Sequence, residues 1–151
     1  MKISIIIPVR NLEGYITKAL NSIANQDYDK SEYEVIVVFD SCMDNSEQAV
    51  SDWHNANPGI ILRTSTCNAG NPGTPRNIGL ESAAGEFIYF LDGDDWFISN
   101  SALNEMVNAI GNYPVLEVQS HETDTGLTNI MPLWKYLFRK DFIGETRIPE
   151  R

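Results

Sequence analysis

Three carboxylates, Asp92, Asp94 and Asp95, fall within the four positions that follow an apolar run at 87–91, in the stretch G-E-F-I-Y-F-L-D-G-D-D-W. Packed this closely they repel one another when ionised, and a cation relieves the repulsion. Oxygen-only ligands suit Mg2+ or Mn2+, and Mg2+ is commonly held by one or two carboxylates together with substrate phosphates. The chemistry indicated is therefore a metal and phosphate site at the end of a buried strand, where open α/β sheets place their ligands. The plainer reading is a solvated turn, because Asp and Gly are turn formers. An EF-hand is excluded by Phe97, which stands where that loop needs its glycine.

The elements that must position these groups alternate along the chain. Ile3, Ile5, Ile6, Ile7 and Val9 form an unbroken apolar run, expected as a strand buried on both faces and turned out of the ladder by Pro8. Asn11 is expected to cap a helix with Leu12, Ile16, Ala19, Leu20 and Ile23 on one face. A second strand at 34–39 ends at Asp40, and a helix from Asp44 or Ser46 runs to about Ala56 before Asn57-Pro58-Gly59 breaks it. A short third strand is expected at 60–62, followed by a loop at 65–75. Thr74 and Pro75 then open a helix that Gly85 stops. That helix carries Arg76 in its first turn, a place unfavourable for a cation unless an anion sits nearby. The strand at 87–91 follows, then a helix with Leu103, Met106, Val107 and Ile110 on one face and Gly111 as its stop. Residues 115–118 read as one more strand, and 131–143 are ambiguous between helix and strand.

Strands alternating with helices imply an α/β fold with a mostly parallel sheet and right-handed crossovers, so that Pro8-Val9-Arg10, Asp40 and Asp92 collect at one rim. The chain of 151 residues is expected to be one domain, with the regular strand-and-helix alternation at 1–114 and a less regular segment at 115–151. A net charge of −10 argues against a nucleic-acid partner, whose affinity rests on Lys and Arg. Cys42 and Cys67 lack any CxxC or Cys/His spacing and read as reduced thiols of a cytoplasmic protein. Neither a signal peptide nor a transmembrane segment is expected, as the run ending at Pro8 is too short for either. A dinucleotide-binding G-x-G-x-x-G is missing after the first strand, which reads P-V-R-N-L-E-G, and there is no P-loop. Aspartyl phosphatases of the haloacid dehalogenase type also place D-x-D after an apolar strand, but on the first strand, which here has no Asp.

Taken together the motifs resemble glycosyltransferase family 2, whose members have the GT-A fold. The matching pieces stand in the family's order: S-I-I-I-P-V-R-N at 4–11, A-L-N-S-I-A-N-Q at 19–26, E-V-I-V-V-F-D-S-C-M-D-N-S at 34–46, N-A-G at 68–70, P-R-N-I-G-L at 75–80 and A-G-E-F-I-Y-F-L-D-G-D-D at 84–95. The resemblance implies an inverting transferase that moves a sugar from a nucleoside-diphosphate sugar, typically a uridine one, to a saccharide or lipid-linked acceptor. It implies that Pro8, Val9, Arg10 and Asn11 border the nucleotide, and that Asp40 accepts from the base. Arg76 would reach the base or phosphates. Asp92 and Gly93 would lie at the ribose, with Asp94, and Asp92 beside it, on Mn2+ or Mg2+. Phe39, Ser41 and Cys42 depart from the family's usual D-D-G-S, and Arg10 replaces a common Tyr or Thr.

The family's carboxylate base is expected beyond Arg151, so no catalytic base is assigned. The alternative function is a nucleotide-sugar-binding domain without turnover. The apolar residues Leu133, Trp134, Tyr136, Leu137, Phe138, Phe142 and Ile143 lead to the expectation of a homodimer, the competing arrangement being that this segment folds back over its own sheet. Association with the cytoplasmic face of a membrane goes with a lipid-linked acceptor.

Overall fold

A computed structural model describes residues 2–118 and 136–149. Its strands are β1 (Ile3–Val9), β2 (Tyr33–Asp40), β3 (Ile61–Cys67), β4 (Phe87–Phe90), β5 (Val115–Glu117) and β6 (Tyr136–Arg139). Its helices are α1 (Ile16–Ala24), α2 (Ser46–Ala56), α3 (Gly73–Ser82), α4 (Ala102–Ile110) and the single turn α5 (Lys140–Ile143). One six-stranded sheet has the order β3-β2-β1-β4-β6-β5. β3, β2, β1 and β4 run parallel, while β6 lies antiparallel between β4 and β5.

The apolar runs account for the centre of the sheet. Every residue of β2 and β4 is buried, and so is all of β1 except the half-buried Pro8. Ile16, Ala19, Leu20 and Ile23 of α1, Val50 and Trp53 of α2, and Leu103, Met106 and Ile110 of α4 pack with Ile5, Ile7, Val35 and Val37 on one face. The other face joins Ile6, Ile36, Val38, Ile88 and Phe90 to Leu80 of α3, with Phe138, Ile143 and Ile148 against them. The terminal apolar segment thus contributes Leu137, fully buried, and Phe138 and Ile143 to its own chain's sheet, whereas Phe142 is exposed. Leu133 and Trp134 lie outside the described residues.

Four expectations from local sequence are corrected. Asn11 does not cap α1: it has a left-handed φ of 54°, and the helix begins at Ile16 after the turn that closes through Leu12. β3 extends to Cys67 through polar residues, because its backbone pairs in register with β2 from Glu34↔Ile61 to Asp40↔Cys67. α3 starts at Gly73 after Pro72, and Asn71 Oδ1, from the residue before that, accepts from the N–H groups of Gly73 (3.0 Å) and Thr74 (2.9 Å). Gly85 does not stop that helix, which ends at Ser82.

Gly85 instead lets two backbones meet. A Cβ on Gly85 would lie 2.6 Å from Ser4 N and 2.7 Å from Ile3 C, and neither backbone atom can yield cheaply. Gly85→Ala should therefore lower stability by about 1–3 kcal/mol, the usual cost of overpacking. Urea unfolding checks this, with an unchanged transition slope and a lower midpoint expected.

Candidate functional site

Since β1, β2, β3 and β4 are parallel, their carboxyl ends share one rim, and the cleft there has a volume of about 280 Å³. β1 delivers Pro8, Val9 and Arg10 to its wall; β2 delivers Asp40; α3 delivers Pro75 and Arg76; the turn after β4 delivers Asp92, Gly93 and Asp94. Of the expected site residues only Asn11 does not line it. Asn11 Oδ1 instead accepts the Met43 N–H at 2.8 Å.

Asp40 is almost wholly buried and organises the loop opposite. Its Oδ1 accepts from Ala69 N–H (2.8 Å) and from the Ser41 hydroxyl (3.2 Å), its Oδ2 accepts from Gly70 N–H (3.0 Å), and Arg10 lies 3.8 Å away. Burial pushes its carboxyl up, but the two amide donors, the hydroxyl and Arg10 outweigh it and hold the group below its ordinary range. Asp40 is thus a carboxylate with its oxygens already partly engaged by the loop at 68–70.

Arg76 answers the question raised by a cation in a first helical turn. Its guanidinium donates to Asp92 Oδ1 and to Pro72 O (3.1 Å), and its Nε is buried without a partner. A buried donor left unmade costs about 1–3 kcal/mol. Asp95 does not line the cleft. It is partly buried in the turn, its N–H donating to Asp92 O (2.9 Å), and burial, followed by the negative charges of Asp92 and Asp94, pushes its carboxyl up to about 6.

Among the described residues no group of three or more His, Cys, Asp or Glu side chains converges on one point. The donor set at this rim is Asp94 with Asp92, the latter shared with Arg76. That set fits a hard cation completing its shell with phosphate oxygens and water rather than an all-protein cage.

Sequence reasoning missed Leu12, Gly70, Asn71, Pro72 and Pro75 in the lining, together with the amides of Ala69 and Gly70 that hold Asp40. The run Asn-Ala-Gly-Asn-Pro-Gly at 68–73 was the available signal, since Asn before Pro-Gly marks a turn. No helix among the described residues is long and apolar enough to cross a membrane.

Comparison with known proteins agrees with this fold. The model of the family described as Glycosyl transferase family 2 matches residues 4–147. The Poly(ribitol-phosphate) beta-N-acetylglucosaminyltransferase TarS of Staphylococcus aureus is 46% identical over 96 residues, which make up 64% of this chain and 17% of that protein. The crystal structure of residues 1–349 of S. aureus TarS in complex with UDP superposes with a TM-score of 0.88 at 31% identity, covering 99% of this chain and 51% of that one. The mannosyltransferase PcManGT of Pyrobaculum calidifontis, solved with GDP-Man and Mn2+, shares the fold at a TM-score of 0.75 and 23% identity, over 80% of this chain and 36% of that one. The chain therefore spans about half the length of the solved TarS fragment, and less of the whole relative.

Proposed function

Because the chain belongs to glycosyltransferase family 2 and has its GT-A fold, we propose that it transfers a sugar, with inversion, from a uridine-diphosphate sugar to a saccharide or lipid-linked acceptor. The observation that carries this reading is the convergence of Asp40, Arg76, Asp92 and Asp94 on one cleft at the carboxyl ends of parallel strands. Support comes from the TarS structure, which holds UDP over the fold shared with this chain.

In this proposal the base lies between Pro8, Val9 and Asp40, with Asp40 offering an oxygen lone pair while its other bonds keep the loop at 68–70 in place. Arg10 at the rim and Arg76 deeper in the cleft supply positive charge that offsets an acidic surface. The buried Nε of Arg76 is a donor that a phosphate oxygen would satisfy. Gly93 and Asp92 border the ribose, and Asp94 with Asp92 would hold Mn2+ or Mg2+. That ion supplies Lewis-acid neutralisation of the departing diphosphate. The thiols of Cys42 and Cys67, both free, support a cytoplasmic setting.

Calorimetry of uridine diphosphate in Mn2+, with a coupled assay for its release from a uridine-diphosphate sugar, tests the reading. Absence of binding in any divalent metal overturns it. Binding without release of the diphosphate would favour the second reading, a donor-binding domain without turnover. Asp40→Ala should weaken uridine diphosphate by about 1–3 kcal/mol, the range for bonds to a charged group. Equal affinity in wild type and variant would remove Asp40 from the base pocket.

A further inference from the structure

The two loops that flank the base end of the cleft are fastened to each other. The β1–α1 loop gives the N–H of Leu12 to Ser46 Oγ (2.8 Å) and that of Glu13 to Asp44 Oδ2 (2.9 Å). In return the β2–α2 loop gives the N–H of Asn45 to Glu13 Oε2 (2.8 Å) and that of Met43 to Asn11 Oδ1 (2.8 Å). Asp44 Oδ1 in turn accepts from the Ser46 hydroxyl (2.6 Å) and the Ser46 N–H (3.0 Å), so the second loop is braced internally.

Both loops leave their strands through a left-handed non-glycine residue, Asn11 at φ 54° and Ser41 at φ 53°. Such a conformation strains most side chains and is best tolerated by Asn or Asp. Ser41 is tied on its far side to Cys67 O through its N–H (3.0 Å), and its one hydroxyl hydrogen is shared between Asn68 Oδ1 (2.7 Å) and Asp40 Oδ1 (3.2 Å). Asn11 is the residue that closes the near side. Its neighbours in sequence, Arg10 and Leu12, both line the cleft, and Arg10 faces Asp40.

We infer that Asn11 is a positioning residue for nucleotide selectivity: by pinning Met43 it holds the two loops at the spacing that lets Arg10 and Asp40 discriminate the base. This deepens the uridine-nucleotide reading above and rests on it. Asn11 acts through the loops and does not itself touch the nucleotide. The clasp is built from backbone donors and the side chains of Asn11, Glu13, Asp44 and Ser46, and Leu12 and Cys42 in the same loops pack against the apolar core.

The test compares Asn11→Gly and Asn11→Asp with wild type. Glycine keeps the left-handed backbone and removes the acceptor, while aspartate keeps both the conformation and an acceptor for the Met43 N–H. Binding of UDP, CDP and ADP is measured by calorimetry in Mn2+, and amide exchange at Met43 is followed in the same proteins. In Asn11→Gly the Met43 amide should exchange faster, UDP affinity should fall about five-fold, as for one net hydrogen bond, and the preference for UDP over CDP and ADP should narrow. Asn11→Asp should restore all three. A wild type selective for UDP with an equally selective Asn11→Gly overturns the inference alone. A uniform loss for all three nucleotides that aspartate fails to rescue overturns it too. A wild type that binds the three nucleotides alike overturns the uridine reading, and the inference falls with it.

Discussion

Replacing Asp94 with alanine is expected to abolish the metal-dependent part of uridine diphosphate binding, so that affinity in Mn2+ drops to the level seen in chelator. The expectation follows from how the three neighbouring carboxylates are used. Asp92 is already paired with Arg76, and Asp95 is half-covered with its carboxyl pushed up to about 6. Asp94 is the member that lines the cleft and has a carboxylate to offer a hard cation. Loss of a direct ligand should exceed the roughly 10- to 100-fold that changes behind the ligands produce at metal sites. Calorimetry in Mn2+ and in chelator, on wild type and variant, reads it directly. Unchanged affinity in Asp94→Ala, or tight wild-type binding in chelator, would contradict the assignment.

The second large effect is on stability and lies at the opposite ends of the strands. Glu34 on β2 is fully buried and accepts from the Ser4 hydroxyl (2.7 Å), Ala84 N–H (2.7 Å) and Arg63 Nε (2.7 Å), while Ser4 Oγ accepts from Gly85 N–H (2.9 Å). One carboxylate therefore joins β1, β2, β3 and the turn before β4. Glu34→Ala leaves the fully buried Ser4 hydroxyl with an unmet donor beside a cavity, while the exposed Ala84 can turn to water, and the change should cost about 1–3 kcal/mol, the penalty for a buried group left unmade. Arg63, half-exposed, can turn to water and adds little.

The pH dependence has a definite sign. Burial raises the Glu34 carboxyl, but the amide of Ala84, Arg63 and Ser4 outweigh it and bring it below its ordinary value of 4.5. The folded protein thus releases this proton more readily than the unfolded chain, and the contribution is fully present above about pH 4.5. It is lost as pH falls through the lowered folded value. Urea midpoints measured downward from pH 5 should fall more steeply for wild type than for Glu34→Ala. Parallel curves would show that Glu34 does not carry the linkage.

What could be read from the letters depended on whether neighbours or distant partners decide the conformation. The runs in β1, β2 and β4 are buried on both faces, and unbroken Ile, Val and Phe announce such strands without help. Asp40 and Asp92 at their ends were legible for the same reason, since a charge that ends a buried strand must emerge at the rim. β3 was read too short because Thr64, Ser65 and Thr66 carry no apolar signal: it is an edge strand whose conformation is imposed by pairing with β2. Leu12 misled the reading of α1, because its helical spacing from Ile16 serves the cleft and not the helix. The amides of Ala69 and Gly70 showed only as a turn signal at 68–73, and the Asn11 to Met43 bond could not be read, as a backbone donor has no letter of its own.

The position of β6 bears on the order of events during synthesis. Phe87, Ile88 and Tyr89 of β4 pair with Arg139, Phe138 and Leu137, partners about fifty residues further along the chain. Until those residues leave the ribosome, β4 is the open margin of a four-stranded parallel sheet, with an apolar sequence and unpaired amides. A margin of that kind templates addition of foreign strands. β5 does not close it, because among the described residues β5 pairs with β6 and not with β4. The nascent chain therefore passes through a stage in which an apolar strand is unprotected, and Glu86 is the nearest gatekeeper against self-association. In the finished fold that residue binds Lys2 and Arg139, the second of which arrives with the strand that ends the exposure.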